Sequence, residues 1–384
     1  MSLRVFVVAG EESGDQLGAP LMRAIRARAP DVTFAGVGGD AMEREGLSSL
    51  FPLRDIAVMG FVPVIKKLPT LLDRIDRTAK AAIAFQPNIA IIIDSPDFTH
   101  RVARKLRAAA PSTPIVDYVC PSVWAWRPGR AKKMRAYIDQ VLCLLPFEPA
   151  ALTRLGGPPG AYVGHPLIER AALLTPGAED EARRDARPPL LALLPGSRRS
   201  ELDRLMPIFR ATLERLAAQA PGLDVALPAV RKHVSRIERE IETWPVKPRL
   251  VHGEAYKYET FRRARAALAA SGTVTLELGL ARVPTVVAYK VSKVEEFIAR
   301  RLVVAPSIVL PNLVLGANVY PEFIQDECEP EALAKATLEL FADGPARRAQ
   351  LDGLAEIGER MRLPNGRAPS DLAAEIALST KRLR

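Results

Sequence analysis

Residues 88–94, Asn88-Ile89-Ala90-Ile91-Ile92-Ile93-Asp94, form a run that is almost wholly apolar and largely β-branched. A strand that is hydrophobic on both faces belongs inside a parallel sheet covered by helices on each side. The surrounding sequence alternates short apolar runs with longer amphipathic ones. Residues 3–9 read as a strand, 14–29 as a helix, 32–36 as a strand, 99–109 as a basic helix, and 114–118 and 140–145 as strands. This alternation predicts a doubly wound α/β domain. Between about residues 167 and 189 the rhythm gives way to LTPGAEDEARRDARPP, a charged, proline-bounded linker with room for one short helix. A second cycle follows, with strands at 190–194, 224–227, 249–251, 266–269 and 285–288 and helices at 200–219 and 230–242. The sequence thus predicts an α/β protein of two doubly wound, Rossmann-like domains, 1–167 and 168–345, facing each other across a cleft. Polar-faced helices at 346–384 are expected to return to the first domain.

Composition narrows the function classes. A chain of 384 residues exceeds one domain of about 150. With 48% hydrophobic and 26% charged residues it is neither disordered throughout, nor a coiled coil, nor a collagen. Cys120, Cys143 and Cys328 show no CxxC spacing, and no two of His100, His165, His233 and His252 stand at metal-ligand spacing. Neither a disulfide framework nor a zinc site is expected, and no cofactor. The apolar run at 5–9 is too short for a signal peptide, and nothing reaches the roughly 18 apolar residues of a membrane span. A cytoplasmic protein is expected. The 54 Lys and Arg against 44 Asp and Glu leave a net charge of +10, which implies an acidic partner: nucleic acid, a phosphorylated small molecule or an anionic membrane face.

Ligands of parallel sheets bind at the carboxyl ends of the strands, so the residues just past each strand are the candidates. GEESGD (10–15) follows the first strand. It lacks the Lys-Ser/Thr of a P-loop, and Glu11 and Glu12 repel phosphate, so it suits sugar hydroxyls, or is a plain turn whose acids favour the helix dipole. After the central strand, Asp94 is placed to act as a general base, while Asp97 either joins it or caps the next helix. YVCPSVWAWRPGRAKKMR (118–135) combines Trp124 and Trp126 with five cations. It fits RNA, a phosphorylated sugar or a lipid headgroup, or else is a solvated helix face. In LLPGSRRSEL, Ser197 and Arg198 (or Arg199) can grip a phosphate, with Ser200 as helix cap. In ASGTVTLE, the turn Ser271-Gly272-Thr273 can seat a diphosphate, and Glu277, one helical turn on, can accept a ribose diol; a simple cap and a surface acid are the alternative. Phe61, Val62, Val64, Ile65, Leu68, Leu71 and Leu72, with Lys66 and Lys67 among them, suit either insertion into an anionic bilayer or packing on the sheet.

GEESGD, DSPDF, YVCPSVWAWR, LPFEP, VGHPL, LLPGSR, ASGTVTLE and PNLVLG, in this order from about residue 8 to 327, resemble the lipid-A-disaccharide synthase family of Gram-negative bacteria. The resemblance implies a metal-independent, inverting glycosyltransferase of the two-domain GT-B type. The implied reaction moves 2,3-diacylglucosamine from UDP-2,3-diacylglucosamine to the 6-hydroxyl of 2,3-diacylglucosamine 1-phosphate (lipid X), giving a lipid A disaccharide 1-phosphate and UDP. It implies Asp94 as general base, with Glu11 and Asp15 lining the cleft. Arg198, Glu277 and Asn312 would face the nucleotide sugar, and Arg198 or the 271–273 turn would stabilise the departing diphosphate. Asp97, Ser197 and Trp126 belong to the same candidate site. An enzyme with acylated substrates and no span must touch the inner leaflet, which favours the membrane reading of residues 61–72: anionic lipids become a partner, and the protein is peripheral. Family members are dimers with exchanged C-terminal parts, so a homodimer is open; nucleic acid is no longer a partner. Thr99, where many members have Asn, and Glu12, where Thr is commoner, depart from the pattern beside the base and bear on acceptor or acyl preference. The rivals are another GT-B enzyme, such as a UDP-GlcNAc 2-epimerase or the peptidoglycan glycosyltransferase, and a non-catalytic RNA-binding protein.

Overall fold

The computed structural model describes residues 2–56 and 68–382. The chain divides into two compact units, residues 1–166 with 362–384, and residues 167–361. Among the described residues each contains one six-stranded, wholly parallel sheet.

The first sheet has the order β2-β1-β3-β4-β5-β6. Its strands are β1 (Arg4–Ala9), β2 (Thr33–Val37), β3 (Ile89–Ile93), β4 (Ile115–Tyr118), β5 (Gln140–Cys143) and β6 (Gly160–Tyr162). All five residues of β3 are buried, as its unbroken apolar run requires. Burying each isoleucine side chain contributes about 1.5–3 kcal/mol. β1 pairs with β3 from Val5↔Ile89 to Ala9↔Ile93. The chain winds from β1 to β2 on one side and to β3 on the other, so the order reverses between β1 and β3. The loops after these two strands therefore open at the point where doubly wound sheets bind ligands.

The second sheet repeats the plan in the order β12-β11-β10-β7-β8-β9. Here β7 is Leu190–Leu194, β8 Asp224–Pro228, β9 Arg249–Val251, β10 Ala266–Ala270, β11 Thr285–Tyr289 and β12 Glu322–Ile324. Its reversal lies between β7 and β10, which pair from Leu191↔Ala266 to Leu194↔Ala269. β6 and β12 are three-residue edge strands whose residues are only partly buried. They carry too little pattern to be read from sequence. The stretch taken as a linker contains two short helices, Ala171–Leu174 and Ala178–Asp185.

The last helix, Pro369–Ser379, belongs to the first unit. Ala373, Ala374 and Ala377 are fully buried in a cluster with Val5, Leu21 and Ile25. Arg28 pairs with Asp371 at 3.2 Å, and Arg382 reaches the buried Asp139 at 2.8 Å. Only residues from 362 onward return. The helix Pro345–Ala355 stays with the second unit, where the buried Gln350 side chain accepts from Thr285 N at 2.7 Å.

Candidate active site

In the first unit the turns after β1 and β3 touch. Gly10 N donates to Ile93 O, and a Cβ built on Gly10 would lie 2.1 Å from Ser95 Cβ, so only glycine fits there. The helix Glu12–Arg28 then begins with Glu11 as its extended N-cap. Asp94 and Ser95 both sit in the left-handed region, at φ +56° and +46°. Two consecutive non-glycine residues there store backbone strain, which surrounding bonds must offset. Ser95 N donates to Asp94 Oδ1 at 2.7 Å, and Thr99 Oγ1 donates to the Asp94 carbonyl at 2.7 Å. Thr99, one of the departures from the family pattern, therefore ties down the turn that presents Asp94.

The Ser13 hydroxyl lies 2.6 Å from Glu11 Oε1 and 3.0 Å from Asp94 Oδ2. It carries one proton, so it donates to one of these carboxylates at a time. Glu11 and Asp94 are thus brought together, and Ser13, passed over in the sequence, is what joins them. Behind Asp94, on β4, Asp117 hydrogen-bonds to His100 Nε2 at 2.9 Å, while His100 Nδ1 meets Tyr137 Oη at 3.2 Å. Burial holds the Asp117 carboxyl above the usual range against the opposing pull of His100. The lone acid in the apolar strand IVDY was the available sign of this network.

Asp15 does something other than the sequence suggested. It is fully buried. Its Oδ1 accepts from Gly39 N at 2.8 Å and Met42 N at 3.0 Å, and its Oδ2 accepts from Ala41 N at 2.9 Å. It caps the short helix Asp40–Arg44 from across the domain. With its oxygens engaged there and no exposure, it lines no cleft. Asp97 caps nothing, because its helix starts at Pro96 with Ser95 as N-cap. Its side chain is 88% exposed and 3.6 Å from Arg130. Trp126 is exposed under the Arg127 guanidinium, 4.4 Å from the ring centre. Trp124 is held instead: its Nε1 donates to the buried Glu148 at 3.2 Å, and burial pushes that carboxyl up to about 7.

In the second unit a pocket of about 890 Å³ opens past the carboxyl ends of β7, β8, β9 and β10. Ser197, Arg198, Ser271, Gly272, Thr273 and Glu277 all line it. Segments 74 residues apart in the chain converge because β7 and β10 are neighbours. Two details differ from the sequence reading. The N–H groups of Ser197 and Arg198 donate to Glu201 Oε2 at 2.9 and 3.1 Å, so this carboxylate already occupies the presumed anion turn. The helix starts at Arg199, not at Ser200, because Glu201 caps it from the third position. Gly196, at φ +115°, has no room for a Cβ beside Glu201. What remains for an anion is the Arg198 side chain, 58% exposed and 2.9 Å from Glu201, whereas Arg199 projects into solvent.

Glu277 is no surface acid. It is buried, and Lys257 Nζ donates to its two oxygens at 2.8 and 2.9 Å. Tyr258 Oη also donates to Oε1 at 3.4 Å, so Oε2 is the oxygen that keeps a second lone-pair direction for a ligand hydroxyl. Lys257 and Arg231 bring positive charge to the pocket that sequence spacing did not reveal. Gly272, at φ +153°, opens the helix Thr273–Leu280, and a Cβ there would meet nothing within 4 Å. Asn312 does not belong to the described lining. It is buried, donating to Tyr320 O at 2.8 Å and accepting from Tyr320 N at 2.8 Å. It locks the 312–320 loop, its amide nitrogen also donating to Asn318 Oδ1 at 2.9 Å and Glu322 Oε1 at 3.0 Å.

The lipid-A-disaccharide synthetase family profile matches residues 5–376. Lipid-A-disaccharide synthase from Nitrobacter hamburgensis is 53% identical over 380 residues, covering 99% of this chain and 96% of that protein. The Rhodopseudomonas palustris (strain HaA2) enzyme is 52% identical with the same coverage. Among solved structures, a UDP-GlcNAc 2-epimerase from Neisseria meningitidis bound to UDP-GlcNAc superposes with a TM-score of 0.59 at 11% identity over 98% of each chain. At that identity it supports the fold alone, and it explains why an epimerase was a rival. Identity above 50% along nearly the whole length, on two doubly wound sheets, decides the matter: this chain is a member of the lipid-A-disaccharide synthetase family.

Proposed function

We propose that the protein transfers 2,3-diacylglucosamine from UDP-2,3-diacylglucosamine to the 6-hydroxyl of 2,3-diacylglucosamine 1-phosphate (lipid X), releasing UDP. The family match over residues 5–376 carries this reading, and it makes the chain a glycosyltransferase enzyme. The epimerase, peptidoglycan glycosyltransferase and RNA-binding readings are not favoured by it. In the proposed mechanism the second unit's pocket takes the uridine diphosphate. Glu277 accepts the ribose hydroxyls, held in place by Lys257. Arg198 and the Ser271–Gly272–Thr273 turn draw off the negative charge that grows on the leaving diphosphate, the role a metal plays elsewhere. Asp94 takes the proton of the acceptor hydroxyl as that oxygen attacks the anomeric carbon from the face opposite the diphosphate. The Ser13 hydroxyl, which Glu11 competes for, holds the Asp94 carboxylate in position when it donates to it.

No helix among the described residues is long and apolar enough to cross a membrane. Contact with anionic inner-leaflet lipids through residues 61–72 is part of the proposal. Residues 57–67 lie outside the described structure, and Leu68 and Leu72, at the start of the helix Leu68–Phe85, are 43% and 45% exposed. A homodimer is likewise proposed.

A turnover assay with both acylated substrates in detergent and EDTA tests the reaction. UDP together with a disaccharide 1-phosphate is the expected result. UDP binding without product would redirect the search to other acceptors, and neither would end the transferase reading. Glu277→Ala is expected to weaken UDP binding about 10- to 100-fold, since it removes charged hydrogen bonds from a buried site. Calorimetric titration measures this, and an unchanged affinity removes Glu277 from the nucleotide site.

A further inference from the structure

The two N-terminal cysteines are far apart in sequence and adjacent in space. Cys120 follows β4, Cys143 ends β5, and Glu148 opens the helix Glu148–Arg154. β4 and β5 are paired neighbours, with Tyr118 opposite Leu142. Two thiols and a carboxylate therefore meet at the carboxyl edge of the sheet. Their ligand atoms lie within 4.8 Å of one another, and all three residues are buried. We propose that Cys120, Cys143 and Glu148 bind one thiophilic divalent cation of the zinc kind, with a structural role.

The donor set fits such an ion. Zinc binds thiolates at about 2.3 Å and carboxylate oxygens at about 2.0–2.2 Å in a tetrahedron. This geometry asks for sulfurs about 3.8 Å apart, so small side-chain rotations close the set. The carboxylate is already oriented as ligating groups are: Leu145 N donates to Glu148 Oε2 at 3.0 Å and Trp124 Nε1 to Oε1 at 3.2 Å. These donors balance the negative charge that two thiolates and a carboxylate leave over after a divalent ion is bound. The Pro121 carbonyl, 3.4 Å from Cys120 Sγ, or a water completes the fourth position. Two thiol protons, and the proton of Glu148 where that carboxyl is protonated, leave to solvent as the ion enters. Gly160 lacks the Cβ that would stand 3.1 Å from Cys143 Sγ, which keeps space beside the sulfur. The ion would join the ends of two strands and a helix start beneath the loop that carries Trp124 and Trp126. It takes no part in sugar transfer, so the proposal is independent of the reaction.

The test uses the full-length, untagged protein, purified under reducing conditions without chelator and passed over chelating resin. Elemental analysis should find about one zinc per chain. After metal removal under denaturing conditions and refolding, Co²⁺ should produce a thiolate-to-cobalt charge-transfer band. Cys120→Ala and Cys143→Ala should each abolish the band, Glu148→Gln should weaken Co²⁺ binding at least about tenfold, and Cys328→Ala, in the other unit, should leave it intact. Wild-type protein with three titratable thiols, no retained zinc and no cobalt band overturns the proposal. So does a single titratable thiol in protein isolated without reductant, which would mean a Cys120–Cys143 disulfide. The wild-type measurements decide the question even if a variant fails to fold.

Discussion

Asp94→Asn is expected to leave UDP binding intact and to lower kcat by about 10²–10⁴-fold, the usual contribution of a positioned general base. The substitution isolates the chemistry because asparagine tolerates the left-handed backbone at φ +56°. Its amide oxygen can still accept from Ser95 N, and Thr99 bonds the main-chain carbonyl, which is unchanged. The turn is therefore kept while the proton acceptor is lost. In the proposed mechanism UDP occupies the pocket of the other unit, so its dissociation constant should not move. A fall in kcat with unchanged UDP affinity is the pattern of an interaction made only in the transition state. Retained turnover would refute Asp94 as base. Ser13→Ala separates positioning from chemistry: it removes the hydroxyl 3.0 Å from Asp94 without removing the carboxylate, and should cost kcat far less.

Asp15→Ala should destabilise the first unit by about 2–4 kcal/mol, because a buried donor left without its acceptor costs about 1–3 kcal/mol and partly buried ones cost less. Three backbone donors lose their acceptor, Met42 N in a buried position and Gly39 N and Ala41 N in partly buried ones. Asp15→Asn helps only partly, because its NH₂ group would face one of those donors. Chemical denaturation should show the lower midpoint, and hydrogen exchange at the three amides should accelerate. Activity per folded molecule, measured in the cold, should stay near that of the wild type. If instead kcat collapses with no change in the unfolding midpoint, Asp15 returns to the catalytic centre.

These two aspartates show how far residue patterns reach. Both follow apolar strands in glycine- or proline-marked turns, and both invite the same catalytic reading. Asp94 ends a strand at the point where the sheet order reverses and remains partly accessible. Asp15 lies one turn inside a helix, and its partners are 24 to 27 residues away. Nothing in GEESGD indicates that a second helix start will dock over it. LLPGSR misled in the opposite direction: the turn was recognised, yet Glu201, within the same helix, takes the N–H groups that a phosphate was expected to use. For Asn312 it was the family resemblance that implied a place beside the nucleotide sugar, and its neighbours Tyr320 and Glu322 claim its amide.

The sequence by itself determined the two parallel sheets, most of their strands, the turns at the two reversal points and membership in the family. Those features rest on local physics: a doubly covered strand must be apolar along its length, and a tight approach such as Gly10 against Ser95 admits only glycine. Only the tertiary structure decided which side chains meet. Ser13 reaches Asp94 across 81 residues, Lys257 pairs with Glu277 across 20, and two cysteines with no motif spacing converge on Glu148. Such encounters depend on which strands become neighbours and on how far each side chain is sealed from water. That decides whether a carboxylate caps a helix, grips a lysine or remains open to a substrate.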